Sequence, residues 1–125
     1  MVEKRRFPRY PCKIKTKFHY YEGNPEDIDY DITVPSKGKG VICDISQVGA
    51  LVITTSRVSV GVPALVNFKT KKNKLAVHGH IVRTGLLKNN PTEVAQKMAK
   101  FTSFGDSYIA IEFNESVELS RDELK

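Results

Sequence analysis

The sequence predicts a mostly β protein, because apolar and polar residues alternate with a period of two along most of the chain. Glycine, proline, asparagine and serine residues interrupt this alternation at intervals, as they do at the turns between strands. Two stretches, residues 90–101 and 120–125, carry helical features instead. Several short strands divided by turns are typical of a barrel or a sandwich rather than an α/β fold.

Six stretches are predicted to be strands. In the first, residues 13–20, apolar residues and Thr16 occupy the even positions, while three lysines and a histidine occupy the odd positions. Successive side chains of a strand point to opposite faces, so this strand is expected to be half-buried, with a basic outer face. The other five predicted strands span residues 41–45, 50–55, 64–68, 75–81 and 109–113.

The segments between these strands are less regular. Residues 29–34 alternate polar and apolar side chains in a way that suits an extra strand or an extended hairpin arm. Ser36–Gly40 contains two glycines and is predicted to be a flexible turn. Residues 90–101 begin with an asparagine suited to the N-cap and a proline suited to the first helical position. Apolar residues follow there at helical spacing, which predicts a helix lying on the strands.

The composition indicates one cytoplasmic domain. A chain of 125 residues falls within the usual range for a single domain. Its hydrophobic fraction of 40% and charged fraction of 27% are ordinary globular values, so disorder across the whole chain is not expected. No apolar run approaches the roughly 20 residues of a membrane-spanning helix, and the N-terminal residues lack the apolar core of a secretory signal.

Charge is unevenly distributed along the chain, whose net charge is +6. Residues 3–17 hold seven basic residues and one acid, whereas residues 22–31 hold five acids and no base. A basic excess attracts anionic ligands, but it suits nucleic acid, anionic lipid and a dinucleotide equally well. The acidic segment is interpreted as a surface arm for a protein partner, and the lysines of residues 69–74 as solvated side chains at a turn.

Two motifs narrow the choice of anion. Arg5 and Arg9 form an RxxxR pair, and Asp44–Gly49 forms a DxSxxG box at a predicted boundary between strand and turn. A guanidinium group can donate two hydrogen bonds to the O6/N7 edge of guanine or to a phosphate. The Asp44 carboxylate can accept from the N1–H and N2–H2 donors of the opposite guanine edge, and Ser46 and the turn amides can add further bonds. Together the motifs supply the groups that bind a guanine nucleotide.

The order and spacing of these motifs resemble those of the PilZ domain, a bacterial receptor for cyclic di-GMP. The resemblance begins at KRRFPRYPCKIKTKF, continues at GVICDISQVGALVIT and returns in VHGHIVRT and SYIAIEF. It implies a six-stranded antiparallel PilZ-type β-barrel with one or two short helices, formed by a single domain over residues 1–125. Residues 1–10 would then be the ligand-binding N-terminal arm, and residues 20–40 and 86–104 would be insertions.

The resemblance also implies which residues bind cyclic di-GMP. The expected ligand contacts are Arg5, Arg9, Asp44, Ser46 and Gly49. In this interpretation Gly49 has a backbone role, because a glycine allows a positive φ angle or a close approach of the ligand. The expected auxiliary charges are Lys4, Arg6 and Arg83. Lys4 stands where some family members have an arginine that favours an intercalated ligand dimer, so binding of one or of two molecules stays open.

The expected mechanism is ordering of the N-terminal arm by the ligand, which creates a surface for a protein partner. No enzyme is predicted, because the sequence shows no catalytic constellation and no P-loop. No metal site is predicted either. Cys12 and Cys43 lack metal-binding spacing and are expected to be buried free thiols. His78 and His80 share a strand face without an evident third ligand, so they are expected on the polar face of the barrel.

Two alternatives have different functions. One is an adaptor with the same fold that binds no nucleotide and acts through protein contacts; degenerate motifs would favour it, but both motifs are intact here. The other is a small basic barrel that binds single-stranded nucleic acid, which requires exposed aromatic residues among the basic ones. Tryptophan is absent, and Phe18 and Tyr20 are predicted to face inward, so nucleic acid is not the expected partner.

Overall fold

The computed structural model of the protein describes residues 8–86 and 105–124. These residues form a closed barrel of antiparallel strands, which confirms the predicted fold class. The strands are β1 (Tyr10–Tyr20), β2 (Ser36–Ser46), β3 (Gly49–Thr54), β4 (Pro63–Lys69), β5 (Lys74–Leu86) and β6 (Ser107–Phe113). Short 3-10 helices lie at Pro25–Asp27 and at Arg121–Leu124.

The strand order around the barrel is β1, β2, β3, β6, β5 and β4, and β4 pairs back onto β1. A turn at Gln47 and Val48 joins β2 to β3, so the DxSxxG box lies where these two strands meet. Because β3 pairs with β6 rather than with β4, the box lies next to the outer face of β6 and, beyond it, of β5. This order decides which distant residues can reach the box.

The core is filled by the inward-facing side chains of every strand. In β1 the predicted alternation is confirmed, because Thr16, Phe18 and Tyr20 are buried while Lys15 and Lys17 are exposed. Burying an aliphatic or phenyl side chain stabilises the fold by about 1.5–3 kcal/mol. The fully buried residues include Phe18 of β1, Ile42 of β2, Val52 of β3, Val66 of β4, Ile81 of β5 and Ile109 of β6.

The segment Ser36–Gly40 forms the first half of β2, so its prediction as a flexible turn is wrong. Its glycines permit close packing instead. A β carbon at Gly40 would lie 2.4 Å from the carbonyl oxygen of Ile53, and one at Gly38 would lie 2.5 Å from the ring of Phe18. Glycine within a strand often marks such a close approach.

Residues 21–35 connect β1 to β2 and do not form the strand or extended hairpin suggested for them. The side chain of Asn24 accepts a hydrogen bond from the backbone N–H of Glu26, which caps the first 3-10 helix. The carbonyl oxygen of Asp29 accepts from the N–H groups of Ile32 and Thr33 and closes a turn. The Asp29 carboxylate also accepts from the backbone N–H of Asp31 at 3.1 Å, so this acid serves a turn, a role that asparagine and aspartate often play.

The two predicted helices have different outcomes. The predicted helix at residues 90–101 lies outside the described residues. The C-terminal one is a single 3-10 turn, and Leu119 and Leu124 beside and within it are buried against the core. Across residues 8–86 and 105–124, no helix has the length and apolar character needed to cross a membrane.

Candidate nucleotide-binding site

The DxSxxG box lines a cleft of about 380 Å³ between the end of β2, the start of β3 and the neighbouring parts of β5 and β6. Arg83 of β5 lines the same cleft, although it lies far from the box in sequence. The strand order brings them together, because β6 stands between β3 and β5. The predicted site residues that line the cleft are Arg9, Asp44, Ser46, Gly49 and Arg83. The other predicted site residues, Lys4, Arg5 and Arg6, lie outside the described residues.

Arg9 and Asp44 form an ion pair within the cleft, with 3.2 Å between Nη1 of the arginine and Oδ2 of the carboxylate. Pro11 lies opposite Asp44 in the β1–β2 pairing, which sets Arg9 just beyond the end of the ladder. The register shifts around this point both in β1–β2 and in β2–β3. Such irregularities redirect side chains, and here they accompany the carboxylate that the motif predicts as a ligand contact.

The environment of Asp44 explains why it needs this partner. Its side chain is 12% exposed, whereas that of Arg9 is 49% exposed. A buried carboxylate without a donor costs several kcal/mol, and the guanidinium group removes that cost. Because the arginine is half in water, the pair itself adds little net stability. Its main consequence is a carboxylate held in place at the cleft wall.

Ser46 and Gly49 organise the turn between β2 and β3. The Ser46 hydroxyl oxygen accepts a hydrogen bond from the backbone N–H of Val48 at 3.2 Å, which leaves its proton as a donor. Gly49 does not have a positive φ angle, so that part of its prediction is wrong. A β carbon at Gly49 would lie 2.6 Å from the carbonyl oxygen of Ile111, so this glycine allows β3 to approach β6 closely.

The wall formed by β5 and β6 contains residues that sequence reasoning missed. Glu112, Asn114 and Ser116 line the cleft, and Glu112 lies directly opposite Gly49 in the β3–β6 pairing. The guanidinium carbon of Arg83 lies 5.9 Å from the centroid of the Tyr108 ring, a cation–π contact that supports the arginine. The alternation in β6 marks Glu112 as outward-facing, but only the strand order shows that it faces the box.

Cys12 and Cys43 are free thiols, as predicted; Cys43 is buried, whereas Cys12 is only partly buried. Burial is the main cause that raises the pKa of each thiol to about 12, and the Asp44 charge adds to it. Each sulfur donates to a backbone carbonyl, Cys12 to Ile42 at 3.5 Å and Cys43 to Leu51 at 3.6 Å. Both thiols are therefore protonated and unreactive at neutral pH.

His78 and His80 of β5 face outward, as predicted, because the residues that alternate with them, Val77, Gly79 and Ile81, are buried. Nδ1 of His80 lies 3.5 Å from Oδ1 of Asn114, at the edge of the cleft. Within the described ranges, no three histidine, cysteine or acidic side chains lie close enough together to hold a metal ion. The histidines therefore belong to the polar surface of the barrel.

Comparisons with known proteins agree with the barrel and its motifs. The family model described as the PilZ domain matches residues 3–95, which is more than half of the chain. A comparison with curated proteins gave no match. Among solved structures, the chain is similar to the Bacillus subtilis inhibitor of motility MotI/DgrA, with a TM-score of 0.60 and 12% sequence identity.

That likeness covers 98% of this chain and 48% of the other, so the chain spans about half the length of that protein. At this level of identity the likeness concerns the fold alone. The family match covers β1 to β5 and includes both the RxxxR pair and the DxSxxG box. The chain therefore belongs to the PilZ domain family.

Proposed function

We propose that the protein is a receptor for cyclic di-GMP and that it binds this ligand in the cleft beside Asp44. The observation that carries the proposal is the convergence of Arg9, Asp44, Ser46 and Arg83 on one cleft. These residues come from three places in the chain, and together they offer cationic donors, a hydroxyl group and a carboxylate. Membership of a family of cyclic di-GMP receptors supports the same ligand.

In this proposal the guanine base and Arg9 exchange partners. Without ligand, the Asp44 carboxylate accepts from Arg9. The N1–H and N2–H2 groups of guanine present two donors side by side, so the base can replace the guanidinium group at the carboxylate. Arg9 is then free to donate to the O6/N7 edge or to a phosphate. The buried carboxylate has a donor in both states, which keeps the cost of the exchange low.

Further groups hold the phosphates and the rest of the ligand. Arg83 stands on the opposite wall of the cleft and brings a positive charge to the phosphates. Ser46 has a hydroxyl proton to donate in addition to its bond within the turn. Arg5 is expected to make contacts like those of Arg9, and Lys4 and Arg6 to add charge.

The signalling step in this proposal is ordering, over the bound nucleotide, of the part of the expected arm of residues 1–10 that precedes Arg9, because Arg9 already pairs with Asp44 and Tyr10 with Ile45. The segment is basic and has little apolar mass, so its own contacts do not offset the ordering entropy of about 1–2 kcal/mol per residue. The ligand phosphates supply the missing counter-charge, which couples ordering to binding. The covered cleft then presents a new surface to a protein partner.

Isothermal titration with cyclic di-GMP tests the proposal, with GTP and a short oligonucleotide as competitors. We expect binding that GTP and the oligonucleotide do not displace and that weakens with added salt. The stoichiometry distinguishes one bound molecule from two. Absence of binding heat would favour the alternative in which the protein is an adaptor that binds no nucleotide. Tighter binding of the oligonucleotide would favour the alternative in which the barrel binds single-stranded nucleic acid.

Hydrogen exchange tests the ordering step separately. The amides of Arg6, Phe7 and Arg9 are expected to gain protection at saturating ligand. Equal protection with and without ligand would mean that the arm is preformed, and the ordering mechanism would then be wrong even if the binding site were right.

A further inference from the structure

A second and larger cavity, the lysine groove, has a volume of about 1060 Å³. It lies between the first half of β1 and the hairpin that joins β4 to β5, where the pairing of β1 with β4 stops at Thr16 and Phe68. Ile14, Leu75 and Leu124 give it a partly apolar floor. Its rim carries Lys13, Lys15, Lys17, Lys39, Lys69, Lys71 and Lys74.

The arrangement of the groove lysines lowers the stability of the fold. Lys17 lies directly opposite Lys39, and Lys69 lies directly opposite Lys74. Like charges in such cross-strand pairs are destabilising. Apart from Lys13, none of the groove lysines has a carboxylate within ion-pair distance among the residues that the structure describes. An anionic partner would relieve this repulsion.

Among the residues whose side chains the structure describes, Glu123 is the acid that lines the groove, and it does not neutralise the lysines. Glu123 is buried, and its two carboxylate oxygens accept hydrogen bonds from the Ser120 amide at 2.7 Å and from the Thr70 hydroxyl at 3.0 Å. These bonds hold the C-terminal 3-10 turn against the hairpin, and one carboxylate offsets only part of the charge of the seven lysines. The outer rim keeps a strong positive potential.

The floor of the groove suits a peptide better than a nucleic acid. The aromatic residue that lines the groove, Phe68, is 4% exposed and packs in the core. Its ring is therefore not available for a base to stack on. Ile14 and Leu75 are partly exposed aliphatic side chains and can receive others like them. The groove thus fits an acidic segment that also carries apolar side chains.

The chain contains a segment of that chemistry, the acidic arm at residues 22–34. Residues 22–31 hold five acids and no base, and the residues Ile32 and Val34 are 79% and 84% exposed. Clustered exposed apolar side chains often mark an interaction site. The arm follows the Tyr20 end of β1, whereas the groove borders residues 13–17 of that strand, and no arm residue lines the groove of its own chain.

We propose that the acidic arm of one molecule docks in the lysine groove of a second copy and joins the two head to tail. Opposite charges give the contact its orientation, and Ile32 and Val34 meet the apolar floor. The two surfaces differ, so the contact is heterologous and continues from molecule to molecule unless it closes a ring. This association does not depend on nucleotide binding.

Sedimentation velocity with charge-reversal variants tests the proposal. The groove variant is Lys69→Glu/Lys74→Glu, and the arm variant is Glu26→Lys/Asp31→Lys. The matched control is Lys72→Glu, because Lys72 is exposed on the same hairpin but does not line the groove. At low salt the wild type and the control are expected to grow in mass with concentration, and high salt should return them to the 14.1 kDa monomer.

The two double variants are each expected to stay monomeric. Mixed together they should associate again, because one brings an intact arm and the other an intact groove. A wild type that is monomeric at every concentration overturns the proposal, as does a mixture no heavier than its components. Loss of association in Lys72→Glu to the same extent would also overturn it, since net charge rather than the groove would then be responsible.

A labelled peptide of residues 21–35 provides a second readout by fluorescence anisotropy. It is expected to bind the wild type and the arm variant but not the groove variant. If a short oligonucleotide binds the groove and the peptide does not, the occupant is a nucleic acid and the proposal is wrong.

Discussion

The cleft beside Asp44 and the lysine groove show two ways in which one small barrel can present charge. The cleft is small, about 380 Å³, and sets Arg9 against Asp44 at 3.2 Å. The groove is about 1060 Å³, and its lysines face one another across paired strands. Groups of both signs, fixed at short distances, can select one ligand by its pattern of donors and acceptors. A surface of one sign attracts anions with little regard to their shape.

This difference matters for locating a binding site. By volume alone the groove would be the first choice, yet the motif residues meet in the smaller cavity. The cleft offers paired and directional groups, and the groove offers charge along an apolar floor.

Substitution Asp44→Asn is expected to weaken cyclic di-GMP binding by at least about a hundredfold, because two hydrogen bonds to a charged acceptor are lost or weakened. The wild type should also prefer cyclic di-GMP over cyclic di-AMP, since adenine has an acceptor at N1 and no amine at C2. Titration of both ligands into wild type and variant measures this. Equal binding of the two ligands by the wild type would refute the role assigned to Asp44.

Substitutions Arg9→Ala and Arg5→Ala are each expected to lower the affinity by about ten- to a hundredfold, the value of one charge-assisted contact. Arg9→Ala should also lower the thermal midpoint, because it leaves Asp44 without its ion-pair partner. Lys69→Ala, in the groove, is the control and should bind the ligand like the wild type. If Lys69→Ala weakens binding as much as the arginine variants do, the ligand does not sit in the cleft.

Substitution Gly49→Ala is expected to destabilise the fold by about 1–3 kcal/mol, because the added methyl group collides with the backbone of β6. Thermal or chemical denaturation measures the loss, with Gln47→Ala in the adjoining turn as the control. A variant of unchanged stability with reduced affinity would show that Gly49 serves the ligand rather than the strand contact.

The two cysteine thiols are expected to give a pH dependence of stability in alkaline solution. Their pKa is about 12 in the folded protein against an ordinary value of 9.0, so the unfolded chain loses these protons first as pH rises. Their contribution is therefore complete below pH 9.0 and is lost between pH 9.0 and about 12. Denaturation of the wild type and of Cys12→Ala/Cys43→Ala across this range isolates it, and parallel profiles would contradict it.

The strands and the box were predictable because their signals are local. A period of two over five to eight residues marks a strand, and Asp44–Gly49 supplies its own turn chemistry. The segment Ser36–Gly40 was misassigned because a glycine signals both flexibility and close packing, and only the position of Ile53 and Phe18 distinguishes them. The alternation at residues 29–34 misled for a similar reason, since aspartate serves turns as well as outward strand faces.

The composition of the cleft was only partly predictable. The two motifs predicted Arg9 and Asp44 as ligand contacts, and the structure shows in addition that these two side chains form an ion pair. Glu112 and Asn114 carry no motif, and they reach the cleft because β6 is inserted between β3 and β5. That strand order arises from pairings between residues far apart in sequence, which no local pattern encodes.

The most direct test of the central claim is a map of backbone amide chemical shifts in a ¹⁵N-labelled protein titrated with cyclic di-GMP. Binding in the cleft predicts shifts at residues 44–51, at Arg83 and at residues 110–114, while the amides of residues 13–17 beside the groove stay unchanged. Shifts confined to the groove, or no shifts at saturating ligand, would contradict the account.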